Sequence, residues 1–209
     1  MKGIISVNGH ADTKSNPKPT IAYIWPDCST TNGVGRYIHE MSKRLHDRFD
    51  IHVLAASGGS DFDGAIHLNT IPVHFTMPSY LGVSEFIARS AWLVKKNNYD
   101  LVLGQGLPLA GLFDNDIIFV HINSPRFVNW NSNTAVGLRD RVKGILHHFH
   151  PLQLSNRYLR YRDGTCRKII VPSAIVKREV TSLYGVSSKK VEVIPLGVCL
   201  LYTSPSPRD

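Results

Sequence analysis

Short, almost wholly apolar runs recur along this chain, most of them alternating with segments of helical spacing. Ile21-Ala22-Tyr23-Ile24-Trp25, bounded by Pro19 and Pro26, reads as a buried strand, and the pattern returns at 51–56, 100–103, 116–120, 168–171 and 191–194. A strand with one solvated face alternates apolar and polar residues, whereas a strand apolar throughout is covered on both faces. Arg36 to Arg48 carries Tyr37, Ile38, Met41 and Leu45 at helical spacing, and Ser84 to Lys96 reads as a second helix with Ser84 as its N-cap. Further helices are predicted over 137–148, 152–162 and 174–184, and weaker strands over 65–68 and 71–75. This alternation predicts an α/β domain with a mainly parallel sheet and helices on both faces.

Such sheets bind ligands beyond the carboxyl ends of their strands. That rule directs attention to the stretch from Asp27 to Arg36, to Gln105, to His121 through Asn123, and to Ser173. Thr31-Asn32-Gly33-Val34-Gly35-Arg36 stands between the first strand and the first helix. Two glycines there allow a tight turn and close backbone approach, and a helix start offers N–H groups and a positive dipole end to a phosphate. Arg36 adds a charge; the competing reading is a plain glycine turn. His121, directly after an apolar strand, is either a cleft hydrogen-bonding group or a histidine satisfied by nearby backbone. Gln105, between two glycines, can bind hydroxyls through a neutral amide.

Other chemistries fit poorly. A dinucleotide fingerprint wants a third glycine where Ile38 stands, and a carboxylate at the end of the second strand where Ala55-Ala56-Ser57 stands. No Gly-Lys-Ser/Thr of a P-loop occurs. His147, His148 and His150 have no acidic or cysteine residue close by and read as a surface cluster rather than a metal site. Arg157, Arg160 and Arg162, interleaved with Tyr158 and Tyr161, read as a solvated helix face, with phosphate contact as the alternative.

The bulk numbers narrow the class further. Hydrophobic residues make up 43% of the 209, as in ordinary soluble domains, and no apolar run reaches 18 residues. Residues 1–19 lack the apolar core of a signal peptide and read as a flexible leader. Two distant cysteines, Cys28 and Cys166, suggest no disulfide framework or zinc site, and a cytoplasmic protein is expected. Charge divides unevenly: residues 1–125 hold 10 Lys/Arg against 11 Asp/Glu, and residues 126–198 hold 13 against 4. The basic part is either a solvated surface or a face for an anionic partner, such as a membrane, a nucleic acid or a phosphorylated substrate. The last eleven residues, Cys199 to Asp209, are similar to the translation of a sequencing adapter and are set aside as a non-native tail.

In order and spacing these pieces resemble the N-terminal domain of family 4 glycosyltransferases. The carriers are Gly33-Val34-Gly35-Arg36 with Ile51-His52-Val53-Leu54, then Asp100-Leu101-Val102-Leu103 with Ile118-Phe119-Val120-His121. Lys168 to Ser173 and Val191 to Val198 follow. The resemblance covers residues 20–198 and implies a Rossmann-like sheet that is the N-terminal, acceptor-side half of a GT-B fold. It implies retaining, metal-independent transfer of a sugar from a nucleotide-sugar donor to a glycan or lipid-linked acceptor, with no cofactor. His121 would lie beside the transferred sugar. Asn32 through Arg36, with Gln105, Asn123 and Ser173, would line the phosphate or acceptor side. A donor-binding domain would follow Val198, so residues 20–198 alone would be inactive; peripheral contact with the inner membrane face is implied, and nucleic acid is not. The sequence departs from the family where Gln105 replaces a frequent histidine and where Val34 separates two glycines that are often adjacent. A stand-alone basic module for membrane or nucleic acid is the alternative.

Overall fold

The computed structural model describes residues 17–60, 62, 64–75, 79–106, 115–121, 137 and 166–196. Seven strands form one sheet in the order β3-β2-β1-β4-β5-β6-β7, and every neighbouring pair is parallel. They are β1 (Thr20–Ile24), β2 (Asp50–Ala55), β3 (Ile66–Thr70), β4 (Leu101–Gln105), β5 (Asn115–Phe119), β6 (Cys166–Val171) and β7 (Val191–Val193). Three helices are described: α1 (Gly33–Leu45), α2 (Ser79–Asn97) and α3 (Ala174–Tyr184). The expected Rossmann-like sheet is therefore present. The helices expected over 137–148 and 152–162, with their histidine and arginine clusters, lie outside the described residues, as do most of the leader and the tail.

The period of two along β1 divides the core. Ile21 and Tyr23 pack with Ile38 of α1 and with Ile51 and Val53, whereas Ala22 and Ile24 pack with Phe86 and Val94 of α2. A third cluster joins Ile118, Ile169 and Val171 to Val180 of α3. Helices thus cover both faces of β1, which explains why that strand carries no polar side.

The chain reverses its direction of travel at β1. β2 and β3 lie to one side of it and β4 through β7 to the other. Loops leaving the carboxyl ends of β1 and β4 consequently diverge and leave a crevice between them.

The main departures from expectation concern α1, the start of α2 and residues 71–75. α1 begins at Gly33 rather than Arg36, because Asn32 caps it: its side chain accepts from the Gly35 N–H at 2.6 Å. The helix ends at Leu45, and residues 46–49 form turns on it. α2 begins at Ser79, so Ser84 lies inside the helix and is not its N-cap. Gly82 hides that start, since glycine weakens local helix preference; here its bare Cα lets the first turn lie against the Phe75 carbonyl, which an added Cβ would approach to 2.2 Å. Residues 71–75 are not a strand. The amides of His74 and Phe75 donate instead to the Glu85 carboxylate, at 2.8 and 3.4 Å, and Arg89 donates to the same group. Hydrogen bonds from His74, Phe75 and Arg89 hold Glu85 down to about 2.

Gly33 and Gly35 are separated by one residue and do different jobs. A Cβ on Gly35 would stand 2.2 Å from the Ser29 carbonyl oxygen, while one on Gly33 meets nothing within 4 Å. Gly35→Ala is expected to destabilise the domain by about 1–3 kcal/mol despite the better helix propensity of alanine, and Gly33→Ala to leave stability unchanged or slightly raised. Thermal or urea unfolding of the two variants measures the difference.

Candidate functional site

Where β1 ends, its backbone turns beneath α1 and is tied to β2. The Cys28 N–H donates to the Ser57 carbonyl at 2.9 Å, and Ala56 and Ser57 donate to the Pro26 carbonyl. Gly58, at φ +77°, lies so close that a Cβ would meet the Ser29 nitrogen at 2.2 Å. Only glycine suits that position on both grounds. Asp27 braces the turn. Burial opposes its ionisation, but hydrogen bonds from Ser29, Asn32 and Ser57 outweigh burial and hold the carboxyl below the usual range. The Cys28 thiol is buried, and burial with the Asp27 charge pushes it up to about 12, which leaves it inert at neutral pH.

Asn32 organises the start of α1. Its Nδ2 donates to the Asp27 carbonyl at 2.8 Å and to Ser29 Oγ at 3.2 Å, while its Oδ1 caps the Gly35 N–H. Arg36 N–H already donates to the Asn32 carbonyl. The amides of Gly33 and Val34, in the first helical turn, have no acceptor within the helix. An anion at this terminus would meet the amides of Gly33 and Val34, whereas Gly35 serves close packing. Arg36 is exposed on the same turn.

Gln105 and His121 meet on the α1 face. Gln105 follows Leu101 and Leu103 at two-residue spacing, and both leucines pack in the α1 cluster; His121 follows Phe119 at the same spacing. Register pairs Gln105 with Phe119, so the side chain of residue 121 reaches back to the Gln105 amide, with Nε2 to Oε1 at 2.6 Å. The ring stacks on Phe119 at 4.5 Å and takes the edge of Tyr37, from α1, at 5.2 Å. Burial lowers His121 to about 4, so it is neutral at physiological pH. Oε1 accepts only, so the proton sits on Nε2 and Nδ1 is left as an acceptor. Gln105 is fully buried, and its Nε2 has no hydrogen-bond partner among the described residues. Turning the amide over moves the deficit to the oxygen without removing it.

Ser173 also stands at the carboxyl edge, after β6, where its hydroxyl accepts from the Val176 N–H at 3.3 Å as the N-cap of α3. No contact among the described residues joins it to the other candidates. Asn123 lies outside the described residues. Asn32, Gly33, Val34 and Arg36 lie on one turn, and Gln105 with His121 is joined to that helix through Tyr37. Sequence reasoning missed Tyr37, whose helical spacing looked like core; it pointed to the stretch from Asp27 onward but not to the bracing role of Asp27, which depends on Ser57 from the loop after β2. The dinucleotide reading fails structurally as well: Ile38 is fully buried in the α1 core, and Ser57 bridges to Asp27 at the end of β2.

A parallel α/β sheet with a capped helix start and a buried polar pair at its switch point defines the class of proteins that bind ligands at the carboxyl edge of the sheet. The profile of Glycosyltransferase Family 4 matches residues 31–200, and the chain belongs to that family. Among solved structures it is similar to WaaG, a glycosyltransferase involved in lipopolysaccharide biosynthesis (TM-score 0.65, 14% identity, covering 85% of this chain and 45% of that one). It is also similar to Phytolacca americana UGT2 complexed with UDP-2fluoro-glucose and pterostilbene (TM-score 0.51, 10% identity, 88% and 55%). A glycosyltransferase from Rickettsia africae ESF-5 aligns at TM-score 0.49 and 17% identity, over 87% and 44%. The chain thus spans about half the length of these structures, and likeness at such identities concerns the fold. No curated protein sequence matches the chain.

His121 provides a direct check on the site. Its folded-state value lies below the ordinary 6.5, so the stability it contributes is complete above the unfolded value and is lost as pH falls through 6.5 towards 4. Ring NMR is expected to show a neutral His121 protonated on Nε2 throughout pH 6–8. Gln105→Leu is expected to abolish the fixed tautomer.

Proposed function

We propose that residues 20–198 form the acceptor-side domain of an enzyme that moves a sugar from a nucleotide-sugar donor to a glycan or lipid-linked acceptor, with retention at the anomeric carbon. In that reaction the bond from the anomeric carbon to the nucleoside diphosphate is exchanged for one to the acceptor hydroxyl. The observation that carries the reading is the neutral His121–Gln105 pair, held against Tyr37 of α1, the helix whose first-turn amides at Gly33 and Val34 have no acceptor within the helix. Membership of Glycosyltransferase Family 4 supports it, as does the occurrence of UDP-2fluoro-glucose with pterostilbene in a protein of similar fold.

Each group has a chemical task. The amides of Gly33 and Val34, at the positive end of the helix, favour phosphate or the developing negative charge of a leaving diphosphate. Arg36 adds to that potential, so the reading needs no metal or cofactor at the cleft. A neutral His121 offers hydrogen bonding to a sugar hydroxyl without placing a competing positive charge beside the anomeric carbon. Ser173 is assigned to the rim of the cleft, and Asn123 to phosphate or acceptor binding. The remaining diphosphate contacts fall to a donor-binding domain, and residues 20–198 alone are expected to be inactive.

The test uses these residues continued by the genomic sequence beyond Val198 and a panel of nucleotide sugars. Transfer or donor hydrolysis is expected from that protein, insensitive to chelation and with the donor's anomeric configuration kept in the product. His121→Ala is expected to lower kcat/KM on the order of 100-fold. Absence of both reactions across the panel would remove the proposal.

The basic excess of residues 126–198 favours a second element of the reading, peripheral attachment of a cytoplasmic protein to an anionic inner membrane face. No described helix is long and apolar enough to cross a membrane. Sedimentation with vesicles is expected to show binding that rises with anionic lipid and falls with salt. Salt-sensitive binding to oligonucleotides without binding to vesicles would favour the stand-alone module instead.

A further inference from the structure

A second cluster lies at the opposite end of the sheet. Asp50 opens β2, and His52 follows two residues later on the same face. His67 of β3 is the register partner of His52. The two imidazoles stack at 4.7 Å and 23°, and both turn Nε2 to one carboxylate: His52 lies 3.4 Å from Asp50 Oδ2 and His67 lies 3.1 Å from Asp50 Oδ1. One ligand atom from each residue falls within 4.8 Å of the other two.

We propose that Asp50, His52 and His67 form a site for a divalent transition-metal ion. The donor set of two imidazoles and one carboxylate suits zinc and its neighbours rather than magnesium or calcium. Zinc holds imidazole nitrogen and carboxylate oxygen at about 2.0–2.2 Å, and two such ligands in tetrahedral geometry stand roughly 3.3 Å apart. The two nitrogen–oxygen separations, one to each oxygen of the Asp50 carboxylate, bracket that spacing, so an ion enters by adjustment of these side chains. The framework is fixed by two hydrogen-bonded strands, which lowers the ordering cost of binding.

The surroundings suit an ion with open positions. Asp50 and His67 line a groove of about 520 Å³ together with Lys18, Thr20, His46 and Phe49. The Lys18 ammonium there donates to the His46 carbonyl at 2.8 Å. On the other side, His52 Nδ1 meets Asn69 Nδ2 at 3.4 Å, and Tyr99 packs on the ring at 5.0 Å. Metal on Nε2 places the proton on Nδ1, so binding moves the Asn69 amide off the His52 ring while it keeps its hydrogen bond to the His67 carbonyl at 3.2 Å. β3 pairs only with β2 in the described sheet. The ion therefore clips an edge strand to its neighbour, and it takes no part in chemistry at the carboxyl ends of the strands.

The test is a zinc titration of the untagged, chelator-treated full chain, read by calorimetry and thermal unfolding. One equivalent is expected to depend on the cluster, with the unfolding midpoint rising as zinc is added. His52→Ala and His67→Ala are each expected to weaken that equivalent by at least about tenfold, since even loss of an outer-sphere partner costs about 10–100-fold. Because His67 is 58% exposed on an edge strand, His67→Gln serves as the variant that keeps the fold, checked by circular dichroism. Simultaneous replacement of His147, His148 and His150 by Ala is expected to leave this equivalent in place. No bound zinc, or binding unchanged by the His52 and His67 substitutions, would overturn the proposal and leave the cluster as an aspartate–histidine ion pair. The result is independent of sugar transfer.

Discussion

The close approach of α1 to the turn after β1 is the constraint on which the cleft depends. Gly35 lies against the Ser29 carbonyl, and Gly58 lies against the Ser29 nitrogen from the other side. One peptide segment is thereby held between the first helix and the loop after β2. Asn32 then has a single place to cap, and the first turn of α1 has one orientation relative to β1. If the helix moved out by the width of a methyl group, Tyr37 would leave His121 and Phe119, and the edge contact that confines the imidazole would be lost. Stability and site geometry here rest on the same few atoms. The glycines that look like a ligand loop in the sequence are therefore not equivalent: Gly35 is required for packing, and Gly33 is not.

Most of the fold was legible because parallel sheets leave a strong trace. A strand buried on both faces must be apolar at consecutive positions, and β1 with the apolar stretches of β2, β5 and β6 could be read on that basis. The errors fall where a distant side chain replaces a local preference. Residues 71–75 have the composition of a strand, yet Glu85, ten residues on, takes two of their amides. Ser84 has the chemistry of a cap, yet Gly82 and the Phe75 carbonyl carry the helix past it. The Asn32 cap was similarly hidden, since the glycines after it suggested a loop.

The candidate site was legible in location and less so in roles. The rule that ligands meet the carboxyl edge of a parallel sheet selected Gln105 and His121 separately. Their contact follows from register, which is not visible until β4 and β5 are paired. Parity then puts both on the α1 face, and Tyr37 closes the group from a position that reads as ordinary core. Sequence alone offered Gly33 and Gly35 as equivalents; the cap by Asn32 distinguishes them, since a satisfied amide at Gly35 leaves Gly33 and Val34 as the donors. Ser173 keeps its place at the edge but spends its hydroxyl on capping α3.

The electrostatic division along the strands follows from the same geometry. At the carboxyl edge, burial and aromatic neighbours keep His121 neutral, so the positive potential comes from the exposed Arg36 and from backbone dipoles at α1. Such a source is fixed in direction and cannot be titrated away, which suits an anion whose charge grows during bond breaking. At the amino edge, His52 and His67 stand more open to solvent, with both Nε2 atoms turned to Asp50. Two histidine environments thus arise in one sheet from the alternation of its strands: one is packed under a helix and hydrogen-bonded to Gln105, and the other is the pair on the open edge that shares the Asp50 carboxylate.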